Sequence, residues 1–253
     1  MDLNIAREKI VEQLRDFLGD KKAIVGLSGG IDSTVIAYLC VEAVGTKNVI
    51  GVHLPYGDQS TEDSWMVANE LRINHETINI KKMVDSCISM PLFEEKLVKG
   101  NIMARIRMVN LYAMANARNG FVVGTTNKSE ALTGYYTKYG DGAVDVEPIA
   151  ELYKTDVWEL AKLLGVPQRI IEKTPSAELW EDHKDEDDLG MNYQELDEIL
   201  KLLPIYMNNE PLPKKTLLKK ICDEFGIEKV ERVLALVRNS EHKRHMPPSF
   251  EVQ

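Results

Sequence analysis

The stretch Gly26-Leu27-Ser28-Gly29-Gly30-Ile31-Asp32-Ser33 joins a short apolar run to a pattern typical of a helix. The run at 23–27 predicts a buried strand, and the apolar spacing over 32–44, followed by Gly45, predicts a helix and its end. The two glycines allow the backbone to turn sharply and to approach a ligand closely. The free N–H groups at the helix start, with the two serine hydroxyls, favour an anion. The stretch therefore predicts a phosphate-binding loop.

The charge in this loop distinguishes it from the common P-loop. A P-loop needs a lysine after its last glycine, and this stretch has none. It has Asp32 instead, which alone would repel phosphates and which makes chemical sense as a ligand of Mg²⁺. The alternative is a glycine-rich turn between a strand and a helix in which Asp32 is only a helix cap.

Working outward from the loop, short β-rich runs alternate with helical patterns. Further strands are predicted near 49–54, 75–80 and 121–124, and a helix with acids in its first turn begins at Ser60 or Thr61. Such alternation is the mark of βαβ units and predicts an α/β fold with a mostly parallel sheet. No repeat or long linker interrupts the chain, so we expect one domain over residues 1–253.

The remaining segments differ in apolar pattern. Residues 101–118 predict a long helix that is apolar nearly all round, which either crosses the core or meets a second subunit; we expect a symmetric homodimer there. Further helices are predicted over 156–164, 193–203, 213–225 and 228–239. Residues 133–145 predict a loop. The segment 178–188 holds seven acids in eleven residues, and we expect a mobile loop that closes over a bound substrate.

Composition excludes several classes of function. The chain of 253 residues has a net charge of −9, which argues against nucleic acid as the main partner. Its apolar runs are too short to span a membrane, and the first twenty residues predict an acidic amphipathic helix with no signal peptide. Three scattered cysteines exclude a disulfide framework or a zinc site, and Cys40 is expected to be buried. A cytoplasmic protein is expected.

The full eight-residue string closely resembles the SGGxDS signature of the N-type ATP pyrophosphatases, the PP-loop family. That resemblance implies a doubly wound, mostly parallel sheet with helices on both faces, like that of the adenine nucleotide alpha hydrolases. It also implies cleavage of ATP between the α and β phosphates, with pyrophosphate held in the loop.

Three further segments resemble the NAD synthetase family within this superfamily: 101–108, 124–130 and 242–244. Together with the loop they span residues 26 to 245. The resemblance implies ATP-dependent amidation of deamido-NAD by ammonia through an acyl adenylate, giving NAD, AMP and pyrophosphate. Because these motifs leave little room for an amidase domain, and no cysteine has the setting of a nucleophile, we expect free ammonia as the nitrogen donor.

The resemblance also implies roles for individual residues, with Asp32 and Lys154 central to catalysis and Asp32 and Glu130 holding Mg²⁺. ATP would contact Gly26, Leu27, Ser28, Gly29, Gly30, Ile31, Asp32, Ser33, Thr125, Lys154 and Ser176. Deamido-NAD would contact Arg105, Lys138, Asp145, His242 and Lys243.

A geometric argument supports the metal pair. Residues 124–130 follow the fourth strand as the serine–glycine loop follows the first, and ligands of doubly wound sheets lie where the strand order reverses. If these strands are the neighbours at that point, Asp32 and Glu130 face each other.

Each assignment has a simpler alternative. Glu130 could be a solvated helix residue, and Lys154 could simply begin a solvated helix. Arg105 lies in an apolar helix, where an unpaired charge is costly, and a structural ion pair is its alternative. Lys138 could be an ordinary surface residue, and 242–243 could belong to a frayed tail.

Other functions also remain open. A GMP synthetase subunit shares the first motif but is not expected to share 124–130. A tRNA-thiolating enzyme is disfavoured by the acidic balance and by the lack of a C-x-x-C pair. A non-catalytic ATP-binding module is disfavoured because both candidate metal acids and Lys154 are present.

Overall fold

The computed structural model describes residues 1–177, 179–180, 183–203 and 215–250. Within them, four strands form one parallel sheet. The strands are β1 (Lys22–Gly26), β2 (Val49–His53), β3 (Asn74–Thr77) and β4 (Gly120–Val123). Each corresponds to one of the predicted strands, within a few residues at its ends.

The order of the strands places β1 between β2 and β4. The chain runs from β1 to β2 to β3 toward one edge and then returns to place β4 on the other side of β1, giving the order β3-β2-β1-β4. Ile24 is paired with Ile50 on one side and with Val122 on the other. The strand order therefore reverses between β1 and β4, which is where doubly wound sheets bind their ligands.

Twelve α-helices surround this sheet in the described part of the chain. The first six are α1 (Leu3–Leu18), α2 (Ile31–Val44), α3 (Glu62–Leu71), α4 (Lys81–Cys87), α5 (Lys96–Arg118) and α6 (Lys128–Thr133). The others are α7 (Lys154–Leu164), α8 (Gln168–Ile171), α9 (Asp185–Leu189), α10 (Tyr193–Leu202), α11 (Lys215–Phe225) and α12 (Ile227–Asn239).

The helices cover both faces of the sheet, as the predicted fold class requires. Alternate residues of a strand point to opposite faces, so Ala23 and Val25 pack with α1, α2, α3 and α7, whereas Ile24 packs with α4 and α5. Both clusters are almost free of solvent, and Cys40 is buried in the first as expected. The C-terminal helices pack with α6 in a third cluster. The doubly wound α/β prediction is confirmed.

Several boundaries depart from the predictions. Helix α5 begins five residues before the expected start at 101, and α4 was not predicted because its seven residues carry too short a pattern. The predicted start of a helix at 213 lies outside the described residues. No helix in the described ranges is long and apolar enough to cross a membrane.

Candidate active site

The serine–glycine loop lies between the end of β1 and the first turn of α2. Gly30 precedes the helix and has no side chain to cap it, so the N–H groups of the first turn face outward. Serine hydroxyls hold the loop: Ser28 Oγ accepts from the Gly30 N–H at 3.2 Å and lies 3.1 Å from Ser33 Oγ, while Ser33 Oγ donates to the Gly30 carbonyl. This geometry suits an anion at the helix start.

Gly29 is required by packing within the protein. Its φ is +83°, a conformation that other residues rarely adopt, and a Cβ there would lie 2.6 Å from Cβ of Asp63. The loop therefore rests against the start of α3. Gly29 does not line either of the cavities described below, and its contact with ATP stays a prediction.

The two carboxylates predicted to hold Mg²⁺ both contact one lysine. Lys154 Nζ lies 2.5 Å from Asp32 Oδ2 and 3.3 Å from Glu130 Oε1, and Lys154 is only 2% exposed. Asn127 donates to Asp32 at 3.0 Å and forms a capping box with Glu130 at the start of α6. Asp32 and Glu130 thus face each other beside β1 and β4. The solvated alternatives for Lys154 and Glu130 are wrong, because both side chains are enclosed by these contacts.

Burial and mutual attraction set the charges of this cluster. Burial alone lowers the pKa of Lys154, but the carboxylates of Asp32 and Glu130 outweigh it and raise that pKa above its ordinary value. Burial raises the pKa of Glu130, and Lys154 opposes this effect. Burial likewise raises the pKa of Asp185, which lies close enough to interact with Lys154. Several acids therefore share one buried cation, so a further positive charge would stabilise the cluster.

Mg²⁺ fits this donor set. It prefers oxygen ligands and is usually held by one or two carboxylates together with substrate phosphates and water. Asp32 and Glu130 supply two carboxylates at a pocket suited to phosphate. In the part of the chain that the structure describes, no cluster of three or more His, Cys, Asp or Glu side chains is arranged to hold a metal ion without a substrate.

Two adjoining cavities lie at the carboxyl ends of β1 and β4. The smaller has a volume of about 150 Å³ and is called here the phosphate pocket. Predicted ATP residues line it: Ser28, Gly30, Ile31, Asp32, Ser33, Thr125, Lys154 and Ser176. The larger has a volume of about 470 Å³ and includes Gly26, Leu27, Ser28, Thr125 and Ser176 in its wall. The structure thus brings together every predicted ATP residue except Gly29.

Arg107 is a pocket residue to which the sequence analysis assigned no role. It lies in the wall of the larger cavity, where its Nε donates to the Leu54 carbonyl at 3.0 Å and its Nη2 to Gln59 Oε1 at 3.2 Å. It belongs to the recognised segment 101–108. The only signal was its place two residues from Arg105, which puts the two side chains on different faces of a helix.

Arg105 lies on the exposed face of α5, so the expectation of a costly charge inside an apolar helix is wrong. Its Nη2 donates to the Lys138 carbonyl at 3.3 Å, and no salt bridge to an acid replaces this contact among the described residues. The guanidinium is therefore available to solvent or to a ligand.

Three other residues predicted to bind the second substrate lie beside Arg105. Lys138 Nζ donates to the His242 carbonyl, and Lys243 Nζ donates to the carbonyls of Gly134 and Tyr136, both at 2.7 Å. Burial lowers the pKa of Lys243. The segment 242–243 is therefore bound to the protein, and the frayed-tail alternative is wrong.

Asp145 is separated from this group. Its Oδ2 accepts from the Val122 N–H at 2.7 Å, and its Oδ1 lies 3.4 Å from the Tyr112 hydroxyl. Tyr112 is seven residues after Arg105 on α5, which is roughly 10 Å along a helix axis. Within one chain, the residues predicted to bind deamido-NAD therefore form two groups, one beside Arg105 and one beside Tyr112 of α5.

The acidic segment contains regular secondary structure that the sequence analysis did not predict. Residues 178, 181 and 182 lie outside the described part, but α9 forms at 185–189 and Asp185 is only 4% exposed. The Asp185 carboxylate accepts from Tyr135, Tyr193 and the Ala177 N–H. The prediction of a loop over 178–188 is wrong for 185–188, because these residues belong to α9. Asp185 lines the phosphate pocket. Acidic composition alone does not distinguish such a residue from its solvated neighbours.

Comparisons with known proteins show the family of the chain. A family model described as NAD synthase matches residues 5–247. The NH(3)-dependent NAD(+) synthetase of Thermococcus kodakarensis is 50% identical over 95% of this chain and 96% of its own length. The chain also resembles two solved structures over nearly their whole lengths. One is NMN synthetase from Francisella tularensis, with a TM-score of 0.83 and 34% identity, covering 98% of each chain. The other is NH3-dependent NAD synthetase from Campylobacter jejuni, with a TM-score of 0.80 and 28% identity, covering 99% of this chain and 100% of that one. The chain therefore belongs to the NAD synthase family.

Proposed function

We propose that this chain amidates deamido-NAD with ammonia at the expense of ATP, releasing NAD, AMP and pyrophosphate. The reaction makes it a ligase that forms a C–N bond. The observation that carries the proposal is the meeting of Asp32, Glu130 and Lys154 at the phosphate pocket, beside a cavity large enough for part of a nucleotide. The family of the chain and the names of its relatives give the same reaction.

The first step activates a poor electrophile. An oxygen of the nicotinate carboxylate attacks the α phosphorus of ATP, a new P–O bond forms, and the bond between that phosphorus and the β-phosphate oxygen breaks. Pyrophosphate leaves with the electron pair, and a mixed anhydride of the carboxylate with AMP remains. The protein need not supply a nucleophile; it must place two anions in contact and stabilise the charge on the leaving phosphates.

The residues of the phosphate pocket suit that task. The N–H groups at the start of α2 and the ammonium of Lys154 would bind phosphate oxygens. Asp32 and Glu130 would hold Mg²⁺, whose chemistry when bound is to neutralise phosphate charge. Asn127 holds Asp32 in place through its amide.

In the second step ammonia attacks the carbonyl carbon of the anhydride. The C–N bond forms, the C–O bond to AMP breaks, and the nitrogen loses a proton to give the neutral amide. Water would destroy the anhydride, so the site must exclude it. Leu179 and Trp180 already form part of the wall of the larger cavity, and Leu179 packs against Gly100 of α5. This contact supports the expectation that 178–188 closes over the substrates.

The proposal includes a second copy of the chain. Arg105, Lys138, His242 and Lys243 would bind deamido-NAD at a partly exposed surface beside α5, where a symmetric partner would complete the enclosure. Asp145 would contact the same ligand further along this helix. We further propose one domain over 1–253 and a cytoplasmic enzyme without a nucleic-acid partner.

The test is an assay of the purified chain with deamido-NAD, ATP, Mg²⁺ and ammonium. We expect NAD, AMP and pyrophosphate in equal amounts, and almost no product when glutamine replaces ammonium. Xanthosine monophosphate tests the GMP synthetase alternative. The deamidated mononucleotide is tested as a further substrate, because a close structural relative is an NMN synthetase. Faster turnover of either compound than of deamido-NAD would contradict the proposed substrate.

A further inference from the structure

The phosphate pocket contains a second lysine that the sequence analysis did not single out. Lys173 lies just after α8 and lines the pocket together with Gly30, Ile31 and Lys154. Its side chain is 32% exposed, whereas that of Lys154 is 3% exposed. Lys154 and Lys173 are the two lysines among the described residues that line this pocket.

Lys173 is anchored to the element that supports the serine–glycine loop. Its Nζ lies 3.0 Å from Asp63 Oδ2. Asp63 is at the start of α3, and its Cβ is the atom that a side chain at position 29 would strike. Arg169 Nε lies 2.9 Å from the other oxygen of Asp63. Asp63 therefore lies against the loop with its Cβ and binds two cations through its carboxylate.

The charges of the pocket make a second cation useful. Asp32, Glu130, Asp141 and Asp185 all line it, and Lys154 is already engaged by two of these acids. A triphosphate brings more negative charge into the same space. An ammonium has three donors, so a bond from Lys173 to Asp63 is compatible with a further bond to a phosphate oxygen.

We propose that Lys173 binds the β and γ phosphates of ATP and then the released pyrophosphate, while Asp63, itself paired with Arg169, holds the Lys173 side chain at the loop. This inference rests on the proposed function in taking ATP as the substrate. The two lysines then have different roles. Lys154 is fixed between Asp32 and Glu130, the predicted ligands of Mg²⁺, and Lys173 neutralises the charge of the leaving pyrophosphate.

Four variants test the proposal: Lys173→Met, Lys173→Arg, Arg169→Met and Lys162→Met. A charge-assisted hydrogen bond corresponds to roughly a 10–100-fold change in affinity. We expect Lys173→Met to raise both the KM for ATP and the inhibition constant of pyrophosphate by about that factor. The KM for deamido-NAD should stay within about twofold. Lys173→Arg, which keeps the charge, should recover most of the loss.

The two other variants separate phosphate binding from support of the loop. Arg169 shares Asp63 but does not line the pocket, and Lys162 is an exposed lysine of α7 paired with Glu159. We expect small changes in Arg169→Met and none in Lys162→Met. Equal effects of Lys173→Met and Arg169→Met on ATP, or unchanged ATP and pyrophosphate constants in Lys173→Met, would overturn the proposal.

A measurement on the unaltered chain covers the case in which Lys173→Met does not fold. Acetylation of individual lysines by a water-soluble reagent is followed by mass spectrometry, with and without Mg²⁺ and pyrophosphate. Lys173 should be protected and Lys162 should not. Equal modification of Lys173 in both conditions would refute this inference even if the chain makes NAD. A chain that makes no NAD would instead refute the proposed function, whatever Lys173 does.

Discussion

The two halves of the candidate site are built differently. Around the phosphate pocket, Asp32, Glu130 and Lys154 are enclosed and bound to one another through side chains. Around the predicted dinucleotide surface, Arg105 and Lys138 are bound mainly to backbone carbonyls and remain partly exposed. The first half is complete within one chain. The second is open on one side.

This difference follows from what each half must do. Phosphate charge is stabilised best by groups fixed before the reaction, since no energy is then spent on reorienting them. A large substrate must enter and leave, which an enclosed surface would prevent. We therefore expect changes in the phosphate pocket to act on turnover, and changes beside α5 to act on the binding of deamido-NAD.

The largest effect is expected for Asp32→Asn, which keeps the shape of the side chain and removes the charge that holds Lys154. Loss of one such preorganised group typically lowers turnover by about 10²–10³. The measurement is kcat at saturating Mg²⁺, with Glu151→Gln, an exposed carboxylate, as the control. Near-normal turnover would remove Asp32 from the catalytic assignment. Glu130→Gln and Lys154→Ala should fall in the same range.

A smaller effect, on binding alone, is expected for Arg105→Met. Loss of an exposed charge-assisted contact should raise the KM for deamido-NAD by roughly tenfold and leave the KM for ATP unchanged. Arg118→Met is the matched control, because Arg118 is also an exposed arginine of α5 and is paired with Glu76. An equal rise in both KM values would mean that the two halves are not separable.

The open side of the second half predicts a homodimer. Sedimentation at micromolar concentration should give twice the mass of the chain. Val109, which is 55% exposed one turn from Arg105, is the position to disturb. Val109→Glu would place a charge in the proposed interface and should shift the mass toward that of a monomer. A monomeric mass for the unaltered chain would contradict the proposal.

The smallest effect concerns Glu147, beside the end of β4. Burial raises its pKa from an ordinary value near 4.5 to about 7, although its carboxylate accepts a hydrogen bond from the Thr126 N–H. An acid with a raised folded-state pKa favours folding while protonated. Its stability contribution is therefore full below about pH 4.5 and is lost as the pH rises toward 7.

A glutamine does not ionise, so the Glu147→Gln variant should keep its stability as the pH rises. It should therefore be more stable than the unaltered chain at pH 8. One pKa unit corresponds to about 1.4 kcal/mol, so the rise from 4.5 to about 7 sets an upper bound of roughly 3.5 kcal/mol on the gain. Thermal unfolding at pH 5 and pH 8 checks the prediction, with Glu151→Gln as the exposed control. A gain that is the same at both pH values would show that ionisation of Glu147 is not its cause.

Much of the fold could be predicted from local patterns. Strand β3 is polar and only partly buried, but the other three strands are short apolar runs, and β1 and β2 are buried along most of their lengths. Such runs indicate a parallel sheet covered on both faces. Helix α4 could not be predicted, since seven residues show barely two periods of a helical pattern.

The phosphate pocket was predictable for a similar reason. The serine–glycine loop is one continuous stretch of sequence. Glu130 follows the end of β4 at about the same distance as Asp32 follows the end of β1. Lys173 and Asp185 carried no such signal. Lys173 follows Glu172 at the end of a short helix, and Asp185 lies in a run of acids. Only their contacts with Asp63 and with Tyr193 distinguish them from solvated neighbours.

The sequence by itself determined the class of the fold and the family and predicted a phosphate-binding loop, because each motif behind them consists of residues close together in the chain. The tertiary structure alone decided that Lys154 is buried between two acids, that Arg105 is exposed, and that Asp145 lies apart from the other dinucleotide residues. Those properties depend on which distant segments pack together. Asp32 and Lys154 are separated by 122 positions, and only the packing of α7 against α2 brings their side chains within 2.5 Å.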